Sequence, residues 1–202
     1  MRKFEGDTLL VATHNAGKLE EIAHLLEPYG VRVVGAGDKG LPEPEETETT
    51  FAGNARIKAH AAARATGLPA LADDSGIVID ALDGAPGVYT ADWAETGSGR
   101  DFVMAMGKAH DRLRETGAPQ PWTARFCCTL VLAWPDGHDE VFEGTVEGRI
   151  VWPMRGTQGH GYDPIFQPEG HDVTFAEMDR WEKNRISHRA DAFARMIDGA
   201  FG

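Results

Sequence analysis

The sequence contains little cysteine, no long apolar run and fewer basic than acidic residues. Its only cysteines are Cys127 and Cys128. Neighbouring side chains in a strand point to opposite faces, so neither a disulfide nor a shared metal site is expected between these two. No apolar run approaches the roughly 20 residues of a membrane helix, and no signal-peptide pattern opens the chain. These features predict a cytoplasmic protein without membrane contact.

The shortage of positive charge also limits the class of ligand. The chain carries 20 Lys and Arg against 32 Asp and Glu, a formal net charge of -12. Binding to duplex nucleic acid depends on neutralising phosphates with Lys and Arg, so that function is not expected. A small anionic ligand needs only a few well-placed cations, often helped by a metal ion, and therefore stays possible.

Apolar periodicity predicts an α/β protein in which helices flank a mixed β-sheet. The predicted strands are Thr8–Ala12, Val31–Gly35 and Ile77–Leu82, with a hairpin of Thr123–Trp134 and Asp139–Val151. The predicted helices are Lys18–Leu26, Phe51–Thr66, one through Phe102 and Leu113, and a last one carrying Phe193 and Ile197. No linker or repeat interrupts the pattern, so residues 1–202 are expected to form one domain.

A short polar segment follows the first predicted strand and opens the first predicted helix. It consists of Thr13, His14, Asn15, Ala16, Gly17 and Lys18. Backbone N–H groups at a helix start favour phosphate oxygens, and Lys18 adds a positive charge. The segment is not a P-loop, because the first glycine of that motif is absent and Leu19 follows the lysine. An ordinary turn with a solvated lysine is an equally good interpretation of these residues alone.

Two acidic segments are candidates for metal binding or proton transfer. One is the loop Leu41–Thr50, which holds Glu43, Glu45, Glu46 and Glu48. It is either a solvated surface loop or a source of carboxylate ligands for Mg²⁺. The other is Asp73-Asp74-Ser75-Gly76, predicted to follow a strand end. Either one of its carboxylates activates water while Ser75 donates to a phosphate, or the segment is an Asx-turn.

Two later segments carry rings and charges suited to a nucleotide. The glycine-rich segment His160, Gly161, Tyr162 and Asp163 combines two flat rings with close backbone approach, or is a plain turn. Near the last helix lie Lys183, Ser187, His188 and Arg189, where Ser187 is a predicted N-cap. Exposed charges at a helix start are the alternative interpretation there.

The order of these segments resembles the inosine triphosphate pyrophosphatase family. The similar blocks, in order, are ATHNAGK, EET before F-x-x-N-A-x-x-K, ADDSG, GAPGVY, GYDPIF and K-x-x-x-SHR. The resemblance runs from about Leu9 to the end of the chain. It implies an elongated mixed sheet with helices, two lobes with a nucleotide cleft between them, and a homodimer. It also implies Mg²⁺-dependent hydrolysis of ITP, dITP and XTP to the monophosphate and pyrophosphate.

The resemblance further implies roles for individual residues. Asp74 is implied as the catalytic carboxylate, and Glu45 or Glu46 joins it as a metal ligand. The remaining residues implied to bind substrate are Thr13, His14, Asn15, Ala16, Gly17, Lys18, Lys58, Ser75, His160, Gly161, Tyr162, Asp163, Lys183, His188 and Arg189. The sequence departs from the family pattern at His160, where phenylalanine is frequent, and at Asp92, where arginine is frequent.

Two other functions remain open at the level of sequence. One is a related pyrophosphatase that acts on other modified nucleotides. The other is a nucleotide-binding regulator without catalysis. The presence of Lys18, Glu46, Lys58 and Asp74 together disfavours the regulator, because binding alone does not need a carboxylate and metal pair.

Overall fold

The protein, described over residues 1–202 by a computed structural model, has the predicted α/β architecture. The helices are α1 (Ala16–Leu26), α2 (Phe51–Thr66), α3 (Phe102–Thr116), α4 (Arg180–Ile186) and α5 (His188–Met196). The strands are β1 (Thr8–Val11), β2 (Arg32–Gly35), β3 (Ala70–Ile79), β4 (Glu95–Thr96), β5 (Gly99–Arg100), β6 (Trp122–Ala133), β7 (Asp139–Ile150) and β8 (Phe166–Pro168).

Six strands form one mixed sheet in the order β2-β1-β3-β6-β7-β8. Strand β1 pairs in parallel with β2 and with β3, with Leu10 opposite Val34 and Ala70 respectively. Strands β7 and β8 are antiparallel, and β4 pairs with β5 in a separate small hairpin. The predicted hairpin is confirmed, since β6 and β7 are neighbours joined by a turn in which Trp134 N donates to His138 O. The mixed sheet predicted from sequence is likewise confirmed.

Capping side chains explain where the helices begin. Asn15 caps α1 by accepting from the N–H of Lys18, Thr50 caps α2, and Asp101 caps α3. Each cap satisfies an N–H group that the first helical turn leaves without a partner. Helix α2 ends at Gly67, whose φ of 70° is the left-handed conformation that glycine adopts most readily. Ser187 accepts from the N–H of Ala190, which confirms it as the predicted cap of α5.

Contacts divide the chain into two compact units, each with a core of its own. The first contains residues 1–74, 129–143 and 192–202, and the second contains residues 75–128 and 144–191. The core of the first unit is rich in alanine from α2, which packs against residues of β1, β3 and β6 such as Leu10 and Val131. The core of the second unit is aromatic, with Phe126, Tyr162, Phe166 and Phe175.

Two predictions about local structure are wrong. Asp73–Gly76 neither follows a strand end nor forms an Asx-turn, because β3 runs without interruption from Ala70 to Ile79. The two aspartates are accommodated there because Lys18 and Lys58 bring positive charge to them. The predicted strand Ile77–Leu82 is also wrong in its bounds, since β3 ends at Ile79 and a 3-10 turn, Asp80–Leu82, follows. The predicted last helix is α5 with the π-helical turn Ile197–Phe201 that follows it, and the short helix α4 precedes it.

No helix of the protein is both long and apolar enough to cross a membrane.

Candidate active site

The predicted phosphate loop joins β1 to α1 in the first unit. The hydroxyl of Thr13 accepts from the N–H of Asn15, and the side chain of Asn15 accepts from the N–H of Lys18. These bonds fix the chain as it turns into the helix. Residues His14 to Gly17 are exposed, and the N–H groups of Ala16 and Gly17 lie in the first helical turn. The turn therefore offers an accessible, positively polarised helix end to an anion.

Lys18 points from this loop to the start of the acidic segment in β3. Its Nζ lies 2.9 Å and 3.1 Å from the two carboxylate oxygens of Asp73. Both side chains are largely shielded, at 25% and 16% exposure. The pair fixes the Lys18 ammonium group against the carboxylate of Asp73.

Lys58 brings a second positive charge to the same segment from α2. Its Nζ lies 3.0 Å from Oε1 of Glu46 and donates a hydrogen bond of 2.5 Å to the backbone oxygen of Asp73. Burial opposes the charge of Lys58, but attraction to Asp73, Glu46 and Asp74 outweighs it, so its pKa is raised. Lys58 is therefore a fixed cation among three acidic residues.

Asp74 is a buried and strongly perturbed carboxylate. It is 9% exposed. Burial, together with the negative charge of Glu46, raises the pKa of Asp74 to about 7, although Lys58 and a hydrogen bond from Asn54 act in the opposite direction. A carboxylate with a pKa near neutrality is suited to accept a proton under physiological conditions.

The carboxylate oxygens of Glu46 and Asp74 are of the chemical type that Mg²⁺ prefers as ligands. No group of three or more His, Cys, Asp or Glu side chains is placed to hold a metal by itself. Mg²⁺, however, usually takes one or two carboxylates and completes its shell with water and substrate phosphates. The charge of Glu46 disfavours ionisation of Asp74, and a cation would relieve that repulsion. Glu46 contacts this group through its ion pair with Lys58, whereas Glu45 makes no ion pair.

A second set of predicted residues clusters in the second unit around Asp163. This carboxylate is buried, accepts from Nζ of Lys183 at 2.5 Å, and accepts from the backbone N–H of His160 at 3.0 Å. Burial would raise the pKa of Asp163, but the bonds from His160 and the charge of Lys183 outweigh it and lower that pKa. Asp163 thus connects the glycine-rich loop to α4.

The ring of His160 lies at the edge of an open groove of about 660 Å³ in the same unit. Its side chain is 77% exposed, and Nδ1 lies 3.7 Å from Asp163. Phe102, Arg100 and Gly161 also line this groove. The ring is accessible to a ligand.

His188 and Arg189 begin α5 in the second unit. The His188 ring stacks on Phe126, with ring centroids 5.1 Å apart and planes inclined by 19°. Burial, followed by the charges of Arg189 and Lys183, lowers the pKa of His188 to about 3, so the imidazole is neutral. Its Nδ1 is buried without a hydrogen-bond partner, and Arg189 forms no ion pair. Both side chains retain unused hydrogen-bonding capacity for a ligand.

Tyr162 is placed differently from the expectation that its ring contacts a base. The residue is 1% exposed, its ring packs edge-on against Phe102, and its hydroxyl donates to the backbone oxygen of Thr90 at 2.8 Å. Burial raises the pKa of its hydroxyl. The Tyr162 ring is part of the hydrophobic core of the second unit, and it anchors the glycine-rich loop to that core. Ser75, in β3, has a buried hydroxyl oxygen.

Sequence reasoning missed two residues of the first unit that contact the predicted ones. Asp73 binds Lys18 by its side chain and Lys58 by its carbonyl oxygen. Asn54 lies one helical turn before Lys58 and is 2% exposed. The four-residue spacing of Asn54 and Lys58 was a signal in the sequence, since it places both on one face of a helix.

Comparison with known proteins agrees with the resemblance seen in the sequence. A dITP/XTP pyrophosphatase from Ruegeria pomeroyi is 75% identical over 201 residues, which cover 100% of this chain and 98% of that protein. A dITP/XTP pyrophosphatase from Agrobacterium fabrum is 57% identical, with 98% of each chain covered. The solved structure of a HAM1 protein from Coxiella burnetii superimposes with a TM-score of 0.90 at 37% identity, covering 95% of this chain and 96% of the other. The sequence profile of the Ham1 family matches residues 9–199, and this chain therefore belongs to the Ham1 family.

Proposed function

We propose that this protein hydrolyses nonstandard purine nucleoside triphosphates, namely ITP, dITP and XTP, to the nucleoside monophosphate and pyrophosphate. The observation that carries the proposal is the group formed by Lys18, Lys58, Glu46 and the buried Asp74, next to an exposed helix start. Relatives that are 75% and 57% identical over nearly their whole length bear the name dITP/XTP pyrophosphatase. Such an activity removes deaminated purines from the nucleotide pool, and we expect it to operate in the cytoplasm.

In this proposal the first unit takes the triphosphate. The exposed N–H groups of the phosphate loop and the charges of Lys18 and Lys58 bind phosphate oxygens, with Thr13 and His14 at the entrance to the loop. The ion pair between Lys18 and Asp73 weakens when Lys18 binds a phosphate oxygen. The two lysines then offset the negative charge that develops during phosphoryl transfer.

Asp74 is the group that we assign to the chemical step. Its carboxylate orients a water molecule, accepts its proton, and directs the oxygen to the α-phosphorus, so that the bond to the pyrophosphate leaving group breaks. Glu46 and Asp74 would hold Mg²⁺, with Glu45 as the alternative to Glu46. When bound, this ion would supply positive charge that neutralises phosphate oxygens.

The second unit supplies the contacts that select the base. A 6-oxo purine has an acceptor where adenine has an amino donor, and Arg189 has donors only. The neutral His188, with its unpaired Nδ1, and the Lys183–Asp163 pair complete the polar surroundings. A donor facing the amino group of adenine would be left unpaired in a closed site, which is costly. His160 is assigned to the face of the purine, with Gly161 allowing close approach.

We propose that the two units act as a single catalytic domain spanning residues 1–202, and that the enzyme is a homodimer. The dimer rests on the family resemblance and is testable by light scattering of the purified protein. The reaction itself is tested by hydrolysing ITP with Mg²⁺ in ¹⁸O-labelled water. We expect the label in inosine monophosphate and none in pyrophosphate. Label in pyrophosphate, or release of orthophosphate as first product, would exclude water attack at the α-phosphorus.

A further inference from the structure

The acidic loop Leu41–Thr50 is attached to α2 by the side chain of one buried residue, Asn54. Its Oδ1 accepts from the N–H of Glu48 at 2.9 Å, and its Nδ2 donates to the backbone oxygen of Glu48 at 3.2 Å. Asn54 is 2% exposed, and a buried amide is expected to have such partners. The oxygen and the nitrogen of the Asn54 amide thus both bind the backbone of Glu48.

The same side chain also contacts the proposed catalytic carboxylate. A hydrogen bond from Asn54 is among the interactions that favour the charged form of Asp74. Because Oδ1 is engaged by an N–H group, the donor to the carboxylate is Nδ2, which has two hydrogens. Asn54 therefore connects the loop that carries Glu46 to the strand that carries Asp74.

Close packing supports the same attachment independently. A Cβ atom at Gly53 would lie 2.7 Å from Cβ of Glu48 and 2.9 Å from Oγ1 of Thr50. The loop therefore lies directly against the first turn of α2, where only glycine leaves enough room. The carboxylate of Glu46, two residues before Glu48, pairs with Lys58 of that helix.

We propose that Asn54 is a positioning residue, which fixes the acidic loop so that Glu46 and Asp74 face the same cation and the same phosphates. This inference rests on the proposed function. It predicts that Asn54 acts partly through Glu46, so that removing Glu46 reduces the effect of removing Asn54, while the hydrogen bond to Asp74 accounts for the remainder. A residue that only stabilises the fold would not show this dependence.

The test is a double-mutant cycle of Asn54→Ala and Glu46→Gln, measured as kcat/KM for ITP at saturating Mg²⁺. Loss of an outer partner of a metal site typically costs about 10–100-fold, and we expect Asn54→Ala to fall in that range. In the Glu46→Gln background the same change should cause a clearly smaller fold loss than in the wild type. Glu48→Ala is the matched control, since Asn54 binds only backbone atoms of Glu48, and it should keep wild-type kcat/KM.

A second readout does not depend on turnover. Amide hydrogen exchange followed by mass spectrometry, without nucleotide or metal, should show faster exchange of residues 41–50 in Asn54→Ala but not in Glu48→Ala. If Asn54→Ala does not fold, Gly53→Ala replaces it, because the added methyl displaces Glu48 while Asn54 is kept. The inference is overturned if the fold losses in kcat/KM of the two single variants multiply in the double variant. It is also overturned if amide exchange of residues 41–50 is unchanged in Asn54→Ala. If the wild type released no pyrophosphate, the proposed function would fail while the exchange experiment still tested the attachment.

Discussion

The Nζ of Lys58 lies 3.0 Å from Oε1 of Glu46 in a part of the protein where carboxylates crowd together. This lysine offsets part of the negative charge of Glu46, Asp73 and Asp74, and Lys18 pairs with the carboxylate of Asp73 at 2.9 Å. The balance is incomplete, since the pKa of Asp74 is still raised to about 7. A cation that arrives with a triphosphate would therefore reduce the remaining repulsion between these carboxylates.

Asp74→Asn should remove most of the turnover and largely spare nucleotide binding. The amide keeps the shape of the side chain but cannot accept a proton from water, and loss of a general base costs about 10²–10⁴ in rate. The measurement is kcat for ITP together with the dissociation constant of inosine monophosphate. The exposed Asp172→Asn is the control and should match the wild type. Near-normal turnover of Asp74→Asn would mean that another carboxylate performs the step.

The same substitution should stabilise the metal-free protein at alkaline pH. Asp74 has a native pKa of about 7 against an ordinary value of 3.8, so the folded state binds more protons than the unfolded state between these values. The free energy of unfolding therefore falls as pH rises through this interval. Calorimetry in EDTA should give a higher Tm for Asp74→Asn than for wild type near pH 8, and a smaller difference near pH 4. Equal Tm values of Asp74→Asn and the wild type near pH 8 would contradict the raised pKa of Asp74.

Lys18→Ala should raise KM for ITP and lower kcat as well. Its charge acts on the phosphates of the bound substrate and on the charge that develops in the transition state. Steady-state kinetics measure both parameters, and Lys39→Ala, an exposed lysine of the same unit, is the control. A change in KM alone would place Lys18 in substrate binding only.

His160→Ala should raise KM for ITP, whereas His160→Phe should retain function. The proposed contact uses the flat face of the ring, and stacking on a base contributes about 1–3 kcal/mol. The 77% exposure of the side chain leaves that face available. An unchanged KM in His160→Ala would remove this residue from base binding, and the buried Tyr162 could not replace it without leaving the core.

Local signals predicted much of the fold. The sequence predicts helix α2 with the observed bounds, because its alanines favour a helix and Gly67 and Pro69 end it. It does not predict the bounds of strand β3, since two adjacent aspartates normally indicate a turn. What keeps them in a strand is tertiary: Lys18 and Lys58 come from distant segments and neutralise them. Local sequence patterns do not indicate partners that come from distant segments of the chain.

The same limit applies to the candidate site. The sequence predicts Lys18, Lys58 and Asp74 as site residues through their motifs, and it leaves Glu45 and Glu46 as alternatives. In the structure Glu46 pairs with Lys58, and no sequence pattern indicates which side chain of an irregular loop turns toward α2. The sequence also could not predict that the Tyr162 ring is buried. A glycine-rich segment has no apolar periodicity that would indicate which side chains face the core.

The central claim is selectivity for 6-oxo purine triphosphates with release of pyrophosphate. The most direct measurement is kcat/KM for pyrophosphate release from ITP, dITP, XTP, ATP, GTP, CTP and UTP with Mg²⁺ under identical conditions. We predict that ITP, dITP and XTP are hydrolysed far faster than the four standard nucleotides. Equal values of kcat/KM for ITP and ATP would contradict the account.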